Sequence, residues 1–499
     1  MPTEFYRDIE KNVRLMEETL HLDVNNEVVV RQFHAVGLNC ALYYLEGMSS
    51  GEAMGEHLLW PLQASPLNLS GRNATKEVIK HVLTAPEVKT EANPRKAVQE
   101  LLFGQTLILF DGCTEAVVAD LRSYSRRGVS TPQTETLVVG PHDAFNETLR
   151  DNLTLLHRRM ATPDFVCSIM SLGDKAATQL AICYVDGICP RETIEEIQRR
   201  LNKINLDQVM ASGILEQLIE DDPYAPLPQV AATERPDRAV SFLMEGQAVL
   251  LLDGSPRALA MPVGVWHLYH SPDDSYMRWQ YGTVMRLLRL AGALLALYLP
   301  AIFVSLVIYH PMTIPMTLLT SIVQSRSTIP LSLLGEALLM LLIFDLINES
   351  AQRTPSLMGS SLGLVSTLIL GSAAVEAGLV SPLLIIVVAL TGLGSYALPN
   401  YSLAFAFRVG QILLLLAAGF MGWTGLCYMS LLLLCWVASM TSLGYPYLAP
   451  TSPRRTRNPD IVSRQPIFRQ RLRSYVGNPA EMRRAVGPMR WMRRGGGGK

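Results

Sequence analysis

The sequence predicts an α/β duplicated soluble N-terminal domain, an α-helical multi-span membrane domain of four to six segments, and a basic, disordered tail. Three observations support this fold class. Two ten-residue stretches, "FGQTLILFDG" at 103–112 and "EGQAVLLLDG" at 245–254, are nearly the same. Apolar segments follow one another from 287 to 448. After 450 the chain carries 13 basic residues against two acidic ones.

These changes in composition divide the chain into regions whose boundaries are predictions. They are an N-terminal helical segment (1–32), a first α/β subdomain (33–125), a connecting helical segment (126–175), a second α/β subdomain (176–280), a transmembrane helical domain (281–450) and a basic cytoplasmic tail (451–499).

The duplication is supported by a second pair of stretches. "CALYYLEG" at 40–47 resembles "LAICYVDG" at 180–187, at an offset of 140 residues, and the first pair is offset by 142. The apolar runs "TLILF" and "AVLLL" are typical of strands buried on both faces. Each ends in Asp-Gly, at Asp111 and Asp253. These aspartates are either ligand-binding carboxylates or turn residues that accept backbone hydrogen bonds, and the second interpretation is favoured because Asp-Gly is a common turn dipeptide.

Two further stretches are rich in polar side chains, at 131–160 and 233–246. Positions 146–160 predict a helix with one apolar stripe, and Pro236 suits the first turn of another. One interpretation makes Glu135, His142, Glu147 and Glu234 acid–base residues of an enzyme. The other makes them ion pairs that join the subdomains. We favour the second because no nucleophile, base and orienting group occur together.

Cysteine and histidine spacing gives no support for a metal site or a cofactor. The seven cysteines include no CxxC pair, which indicates a reducing compartment and neither a disulfide framework nor a zinc site. His267 and His270 form one isolated HxxH pattern near Asp273. The N-terminus has no apolar h-region, so no cleavable signal peptide is expected.

Six apolar segments are candidates for membrane helices. They are 287–308, 329–347, 357–379, 383–398, 403–423 and 425–443. The first has 22 residues, enough for a bilayer core of about 30 Å, whereas 383–398 is short and could be re-entrant. Basic residues precede the first segment and follow the last, so the positive-inside rule places both termini in the cytoplasm and requires an even number of crossings. The tail is expected to contact lipid headgroups. No nucleic-acid pattern accompanies it.

Charged residues inside or beside these segments are the candidate ion-pathway positions, because a charge at the bilayer centre costs about 2.5–3.5 kcal/mol and requires protein or water around it. They are Glu336, Asp345, Glu349, Arg353, Glu376 and Arg408. Glu336 and Asp345 are about 180° apart on an ideal helix, so they are not expected to line the same face. The alternative role is interhelical ion pairing, or position at the headgroup level.

Five stretches occur in the order of a known family: "TPQTETLVVGPHDAFNETLRDNLTLLHRRM", "ATERPDRAVSFLMEGQAVLLLDGSPRAL", "HSPDDSYMRW" followed by "MRLLRL", "NESAQRTP" and "GYPYLAP". Over 33–450 the chain resembles the GerA family of spore germination proteins, both the A subunits of germinant receptors and the stage V sporulation protein AF. By position, the resemblance assigns family-motif residues at Glu135, Gly140, Phe145, Glu147, Asn152, Arg158, Arg159, Glu234, Arg235, Pro236, Asp253, Gly254, Ser255 and Pro256, with Glu349, Arg353 and Pro355 after a span. The sequence departs from the family pattern at "PHDAF" and "INES".

The resemblance implies a subunit of a complex in the endospore inner membrane and no enzymatic activity. It implies an oligomeric channel that releases monovalent cations, partnered by a transporter-like B subunit and a lipoprotein C subunit, or by another small spore membrane protein. A non-conducting scaffold for the germination machinery is the alternative from another class. A membrane-anchored enzyme is a third, and it requires a pocket near Asp111 or Asp253.

Overall fold

The computed structural model describes residues 1–69, 74–123, 131–327, 329–353, 373–453, 460–473, 476 and 479–484, without the side chains of 351–353. The predicted third apolar segment, 357–379, lies outside this description up to residue 372, and so does Pro355.

The N-terminal half contains a first α/β unit. Its elements are α1 (Ile9–Leu20), β1 (Val28–Ala35), β2 (Leu38–Leu45), α2 (Gly51–Met54), a π-helical turn (Gly55–Leu59), α3 (Trp60–Ala64), α4 (Ala74–His81), β3 (Val88–Glu91), α5 (Pro94–Leu102), β4 (Thr106–Phe110) and β5 (Ala116–Ala119). The five strands form one antiparallel sheet in the order β1-β2-β4-β5-β3.

A second unit repeats this arrangement. Its elements are α6 (Leu149–Arg159), β6 (Phe165–Leu172), β7 (Thr178–Val185), α7 (Arg191–Leu201), α8 (Ser212–Ile219), β8 (Ala231–Thr233), α9 (Pro236–Met244), β9 (Ala248–Leu252) and β10 (Ala258–Met261). The antiparallel order β6-β7-β9-β10-β8 corresponds strand for strand to the first sheet. The predicted duplication is therefore present in the structure.

The repeat also includes the helix that precedes each sheet. Asn12 in α1 accepts a hydrogen bond from the Tyr6 N–H (2.8 Å) and donates one to the Tyr6 carbonyl (2.7 Å). Asn152 in α6 makes the same two bonds with Asn146, at 2.8 and 2.7 Å. The first unit therefore begins before residue 33. The stretch 126–175, predicted as a helical connection, contains α6 and also strand β6 of the second sheet.

Asp111 and Asp253 occupy equivalent places in the two units. The Asp111 carboxylate accepts the Ile9 N–H at 3.2 Å, and the Asp253 carboxylate accepts the Leu149 N–H at 3.0 Å. Each thus binds one of the free N–H groups at the start of the preceding helix. This geometry agrees with the backbone-binding interpretation of the two Asp-Gly pairs.

Replacing either repeated asparagine is expected to lower stability. Asn12 and Asn152 are almost fully buried, so Asn152→Ala leaves two backbone groups without partners and costs about 1–3 kcal/mol. Asn12→Ala should cost a similar amount in the first unit. The check is thermal melting of the full chain, with the exposed Asn202→Ala as the control. Equal melting temperatures for Asn152→Ala and the control would contradict the prediction.

The C-terminal half is helical. Its elements are α10 (Val265–Tyr269), α11 (Asp273–Tyr276), α12 (Trp279–Tyr309), α13 (Met316–Arg326), α14 (Leu333–Arg353), α15 (Pro382–Tyr396), α16 (Tyr401–Ser439), β11 (Thr441–Ser442) and β12 (Tyr445–Pro446), with 3-10 turns at Pro311–Thr313 and Ile467–Arg469. Among the described residues, two helices are long and apolar enough to cross a membrane by length and composition: α12, with an 18-residue window of mean hydropathy 2.3, and α16, with one of 1.9.

Helix α16 reverses direction at Gly422, where φ is 63° and ψ is −139°. A Cβ atom placed on Gly410 would lie 3.9 Å from Leu433 Cδ1, although 23 residues of straight helix would separate them by about 35 Å. The two halves of α16 are therefore an antiparallel pair. This agrees with the two separate segments predicted there, 403–423 and 425–443. The total number of crossings stays a prediction.

The described part of the tail is ordered against the second unit, so the prediction of a disordered tail is wrong for these residues. The Ala480 N–H donates to the Ile188 carbonyl at 2.9 Å, and Arg484 pairs with Glu245. Arg464, which is buried, donates to the Ser275 carbonyl at 2.7 Å. A basic composition predicts that the arginines of the tail repel one another and remain hydrated. In the structure, Arg464 and Arg484 instead bind carbonyl and carboxylate oxygens of distant segments.

Candidate functional site

Two family-motif segments form one hydrogen-bond network beside β8. The Glu234 carboxylate accepts the N–H groups of Gln133 (3.0 Å) and Thr134 (3.3 Å) and the Thr134 hydroxyl (2.8 Å). The Glu234 carbonyl accepts the Phe145 N–H at 2.8 Å. Burial by itself would raise the pKa of Glu234, but these hydrogen bonds and the nearby Arg257 outweigh it and lower that pKa. Glu234 therefore holds the 131–145 segment against the second unit as a carboxylate.

Two arginines of the second motif continue this network. Arg235 is fully buried, and its guanidinium donates to the carbonyls of Pro141 (2.7 Å) and Glu135 (3.3 Å) and to the Asp237 carboxylate (3.0 Å). Arg238 pairs with the Glu135 carboxylate. This placement agrees with the ion-pair interpretation of the two motifs, whereas the acid–base interpretation gains no support. His142 and Glu147 are exposed.

The remaining motif positions have mainly structural contacts. Gly140 has φ 140°, and a Cβ there would lie 3.0 Å from the ring of Tyr276. Pro236 begins α9. The Gly254 N–H donates to the Glu147 carbonyl (2.7 Å), and the Ser255 hydroxyl donates to the Ser212 hydroxyl (2.9 Å). The Arg159 guanidinium donates to the Asp143 carboxylate at 2.6 Å. Arg158 is exposed and Pro256 is half-buried.

The start of the membrane domain is fixed to the second unit by buried charges. Arg286 in α12 is 3% exposed as a side chain, and its Nε lies 3.2 Å from the Asp274 carboxylate. Its Nη1 lies 2.8 Å from the Asp460 carboxylate in the tail. Arg289, one turn further along α12, pairs with Asp274 at 3.0 Å. One buried carboxylate thus holds two arginines at the beginning of the first long apolar helix.

The end of the membrane domain is fixed to the same unit. The Tyr447 side chain is fully buried, and its hydroxyl donates to the Pro228 carbonyl at 2.8 Å. The Ser442 hydroxyl donates to the Gln229 carbonyl (2.7 Å) and accepts the Val263 N–H (3.1 Å). We call the combined contact region the junction: Pro228, Gln229, Val263, Asp274, Arg286, Arg289, Ser442, Tyr447 and Asp460.

The apolar core of the second unit continues across the junction. One cluster of buried residues contains Leu251 of β9 and Leu268 of α10 together with Ala293 of α12, Leu403 of α16 and Tyr447. Protein interiors are close-packed and have low compressibility. A displacement of the second unit would therefore displace the ends of α12 and α16.

A cavity of about 280 Å³ adjoins the junction and includes the HxxH residues. Burial, with Arg238 nearby, lowers the pKa of His267 to about 4. Burial and Arg286 lower the pKa of His270, whose Nε2 lies 2.7 Å from the Ile461 carbonyl oxygen. Because His270 uses this nitrogen for a carbonyl group, the geometry favours two neutral structural histidines over a metal pair.

The membrane-region charges lie in separate environments. Glu336 is fully buried; its carboxylate accepts the Ser381 N–H at 2.5 Å and lies 3.6 Å from Arg326 Nε. Asp345 is 39% exposed as a side chain and pairs with Arg408 at 3.2 Å. The two acids therefore face different neighbours, in agreement with their predicted separation around α14. Glu349 and Glu376 are exposed, and the Arg353 side chain lies outside the described residues.

Sequence reasoning did not identify the junction as a site. Asp274 and Tyr447 lie inside the quoted stretches "HSPDDSYMRW" and "GYPYLAP", but neither was singled out. Asp460 lies in the tail, for which only contact with lipid headgroups was expected. The available signal was the aspartate pair at 273–274, followed by two arginines one helical turn apart, Arg286 and Arg289, at the start of the first apolar segment.

Two matching α/β units, the second of which is joined by buried charges to long apolar helices, define a membrane-associated protein with a large domain outside the helical region. The family described as Bacillus/Clostridium GerA spore germination protein matches residues 15–476, and the chain belongs to this GerA family. The resemblance predicted from the sequence is thus confirmed.

Three relatives match over 90% or more of their own length. Spore germination protein B1 of Bacillus subtilis (strain 168) is 32% identical over 479 residues, covering 95% of this chain and 98% of the relative. Spore germination protein A1 of the same strain is 31% identical, covering 96% and 98%. The uncharacterized membrane protein YfkQ of that strain is 32% identical, covering 92% and 90%. The crystal structure of the N-terminal domain of the A subunit of the Bacillus megaterium spore germinant receptor GerK3 covers 52% of this chain and 98% of its own, at 27% identity and a TM-score of 0.42.

Proposed function

We propose that this chain is a subunit of a spore germination complex in the endospore inner membrane and that its helices contribute to a pathway for monovalent cations. Membership of the GerA family and the names of the relatives support the first part. The proposed cation pathway is supported by the junction, because the junction attaches both ends of the helical domain to the second α/β unit. No covalent chemistry is required.

The proposed mechanism is a shift in a closed–open equilibrium. A partner subunit, alone or with a bound nutrient, contacts the α/β units and binds one of the two states, closed or open, more tightly than the other. It can shift the equilibrium only by its difference in affinity between those states. Movement of the second unit is then transmitted by the junction to the ends of α12 and α16, because the buried ion pairs and close packing there resist deformation.

Within the helical domain, Asp345 is the better candidate for a pathway acid. It lies half-exposed beside Arg408, and a cavity of about 20 Å³ adjoins both. A cavity of this size holds at most one water molecule, as a closed state requires. Glu336, in contrast, accepts the Ser381 N–H just before α15 and has no exposed surface. We therefore assign Glu336 a structural role at the start of α15.

The test is potassium release from germinating spores that carry Asp345→Asn. Release is expected to slow by on the order of tenfold, which corresponds to about 1.4 kcal/mol in the barrier. Asp207→Asn, at an acid of the second α/β unit whose side chain is 72% exposed, should leave release unchanged. If Asp345→Asn assembles normally and releases potassium at the wild-type rate, the pathway is refuted and the non-conducting scaffold is favoured.

The partners and topology belong to the same proposal. We propose a homo-oligomer that contacts a transporter-like B subunit and a lipoprotein C subunit, or another small spore membrane protein, with both termini in the cytoplasm. Basic residues near the start of α12, Arg286 and Arg289, and those after α16 support this orientation. Co-purification with candidate partners and protease protection of each terminus test these two points separately from ion release.

A further inference from the structure

Four buried side chains meet where the first α/β unit contacts the second. Glu27 precedes β1 of the first unit, His157 lies on α6, and Cys167 and Cys183 are opposite each other on β6 and β7. One ligand atom from each of Glu27, His157 and Cys167 lies within 4.8 Å of the others. The Cys183 sulfur lies 3.2 Å from the Cys167 sulfur. One carboxylate, one imidazole and two thiols therefore share one small region of the interior.

The backbone around this cluster is already held in place. The Asn26 N–H donates to the Cys167 carbonyl at 3.0 Å, and the Asn26 side-chain oxygen accepts the Ile169 N–H at 3.0 Å. The Asn25 side chain donates to the Phe165 carbonyl at 3.4 Å. These contacts fix the first unit beside β6, so the four side chains are brought together by the fold.

The polar atoms of the cluster are incompletely satisfied. The side chains of His157 and Glu27 are 3% and 5% exposed and contact each other, yet His157 Nδ1 has no hydrogen-bond partner among the described residues. A buried imidazole nitrogen without a partner is costly. A bound cation would both occupy such an atom and stabilise thiolates.

We propose that Glu27, His157, Cys167 and Cys183 bind one Zn²⁺ ion between the two α/β units. Zinc takes four nitrogen, oxygen or sulfur ligands at about 2.0–2.3 Å, which places neighbouring ligand atoms about 3.3–3.8 Å apart. The ligand atoms of Glu27, His157 and Cys167 already lie within 4.8 Å of one another, and the Cys183 sulfur lies 3.2 Å from the Cys167 sulfur. Mg²⁺ and Ca²⁺ prefer oxygen ligands, whereas two sulfurs select zinc.

Zinc at this position would link the two units. Glu27 belongs to the first unit and the cysteines to the second, so the ion would fix their relative orientation. Binding would release a proton from each coordinating thiol. This inference departs from the sequence expectation of no metal site. The ligands lie at positions 27, 157, 167 and 183, a spacing that no zinc motif describes.

The test is the metal content of the purified full-length protein, measured by inductively coupled plasma mass spectrometry. The wild type should hold one zinc per chain, and Cys167→Ser and Cys183→Ser should each lose it. Cys189→Ser is the matched control, because Cys189 is a buried cysteine in the same unit outside the cluster. Zinc absent from the wild type, or retained equally in all variants, overturns the proposal.

A second measurement uses only the wild-type protein, so its result does not depend on whether the variants fold. In the wild type, a zinc chelator should lower the melting temperature and expose the thiols of Cys167 and Cys183 to an alkylating reagent. If chelation changes neither the melting temperature nor the labelling of these cysteines, the proposal fails. It also fails if mass spectrometry finds a Cys167–Cys183 disulfide in protein purified under reducing conditions.

Discussion

Asp274→Asn is expected to destabilise the contact between the second unit and α12 by about 3–5 kcal/mol, the usual cost of removing one partner from a buried ion pair. Asp274 is 2% exposed as a side chain and pairs with both Arg286 (3.2 Å) and Arg289 (3.0 Å). The substitution keeps the shape of the side chain but leaves two arginines without their shared carboxylate. Asp460 still faces Arg286 and offsets part of the loss.

Thermal melting of the detergent-solubilised full chain measures this effect. The control is Asp207→Asn, which breaks an ion pair of similar length, 3.0 Å to Lys175, between side chains that are 72% and 77% exposed. Exposed pairs contribute about 0–1 kcal/mol, so the control should melt close to the wild type. A melting temperature of Asp274→Asn within the range of the control would show that the junction does not depend on this carboxylate.

Tyr447→Ala is expected to destabilise the other end of the junction by about 3–5 kcal/mol, since it leaves a cavity where a large aromatic side chain was buried. Tyr447 packs in the cluster that joins the second unit to α12 and α16. Tyr447→Phe should cost only about 1–3 kcal/mol, because it keeps the ring and removes the bond to the Pro228 carbonyl. The difference between the two variants separates packing from hydrogen bonding.

The measurement is again thermal melting, with Tyr224→Ala as the control. Tyr224 is 96% exposed, and substitutions at such positions change stability by about 0.5 kcal/mol or less. The expected order of melting temperatures is control, then Tyr447→Phe, then Tyr447→Ala. If Tyr447→Ala melts like Tyr447→Phe, the apolar packing across the junction contributes little.

Both junction variants also bear on the proposed mechanism. If the junction transmits movement to the helices, partly destabilised variants such as Tyr447→Phe should alter the rate of ion release before assembly is lost. A variant with an intact complex, a lowered melting temperature and unchanged release would separate the structural role of the junction from transmission.

Local sequence patterns determined much of this fold. The repeated "TLILF" and "AVLLL" strands, their Asp-Gly turns and the apolar runs of α12 and α16 follow from the spacing of apolar residues and from glycine at a turn. Such signals are short-range, so they can be recognised without knowing what each element packs against. The family resemblance rests on the same stretches of contiguous residues.

Tertiary structure alone decided which distant side chains meet. Asp274, Arg286 and Asp460 form one buried group, and Glu27 lies beside His157 and Cys167, across separations of up to 186 residues in the chain. The energy of a buried charge or polar atom depends on the partner that removes it from water. No periodicity in the sequence encodes that partner, so composition predicted a disordered tail beside lipid headgroups, whereas the folded chain places Asp460 of the tail against Arg286.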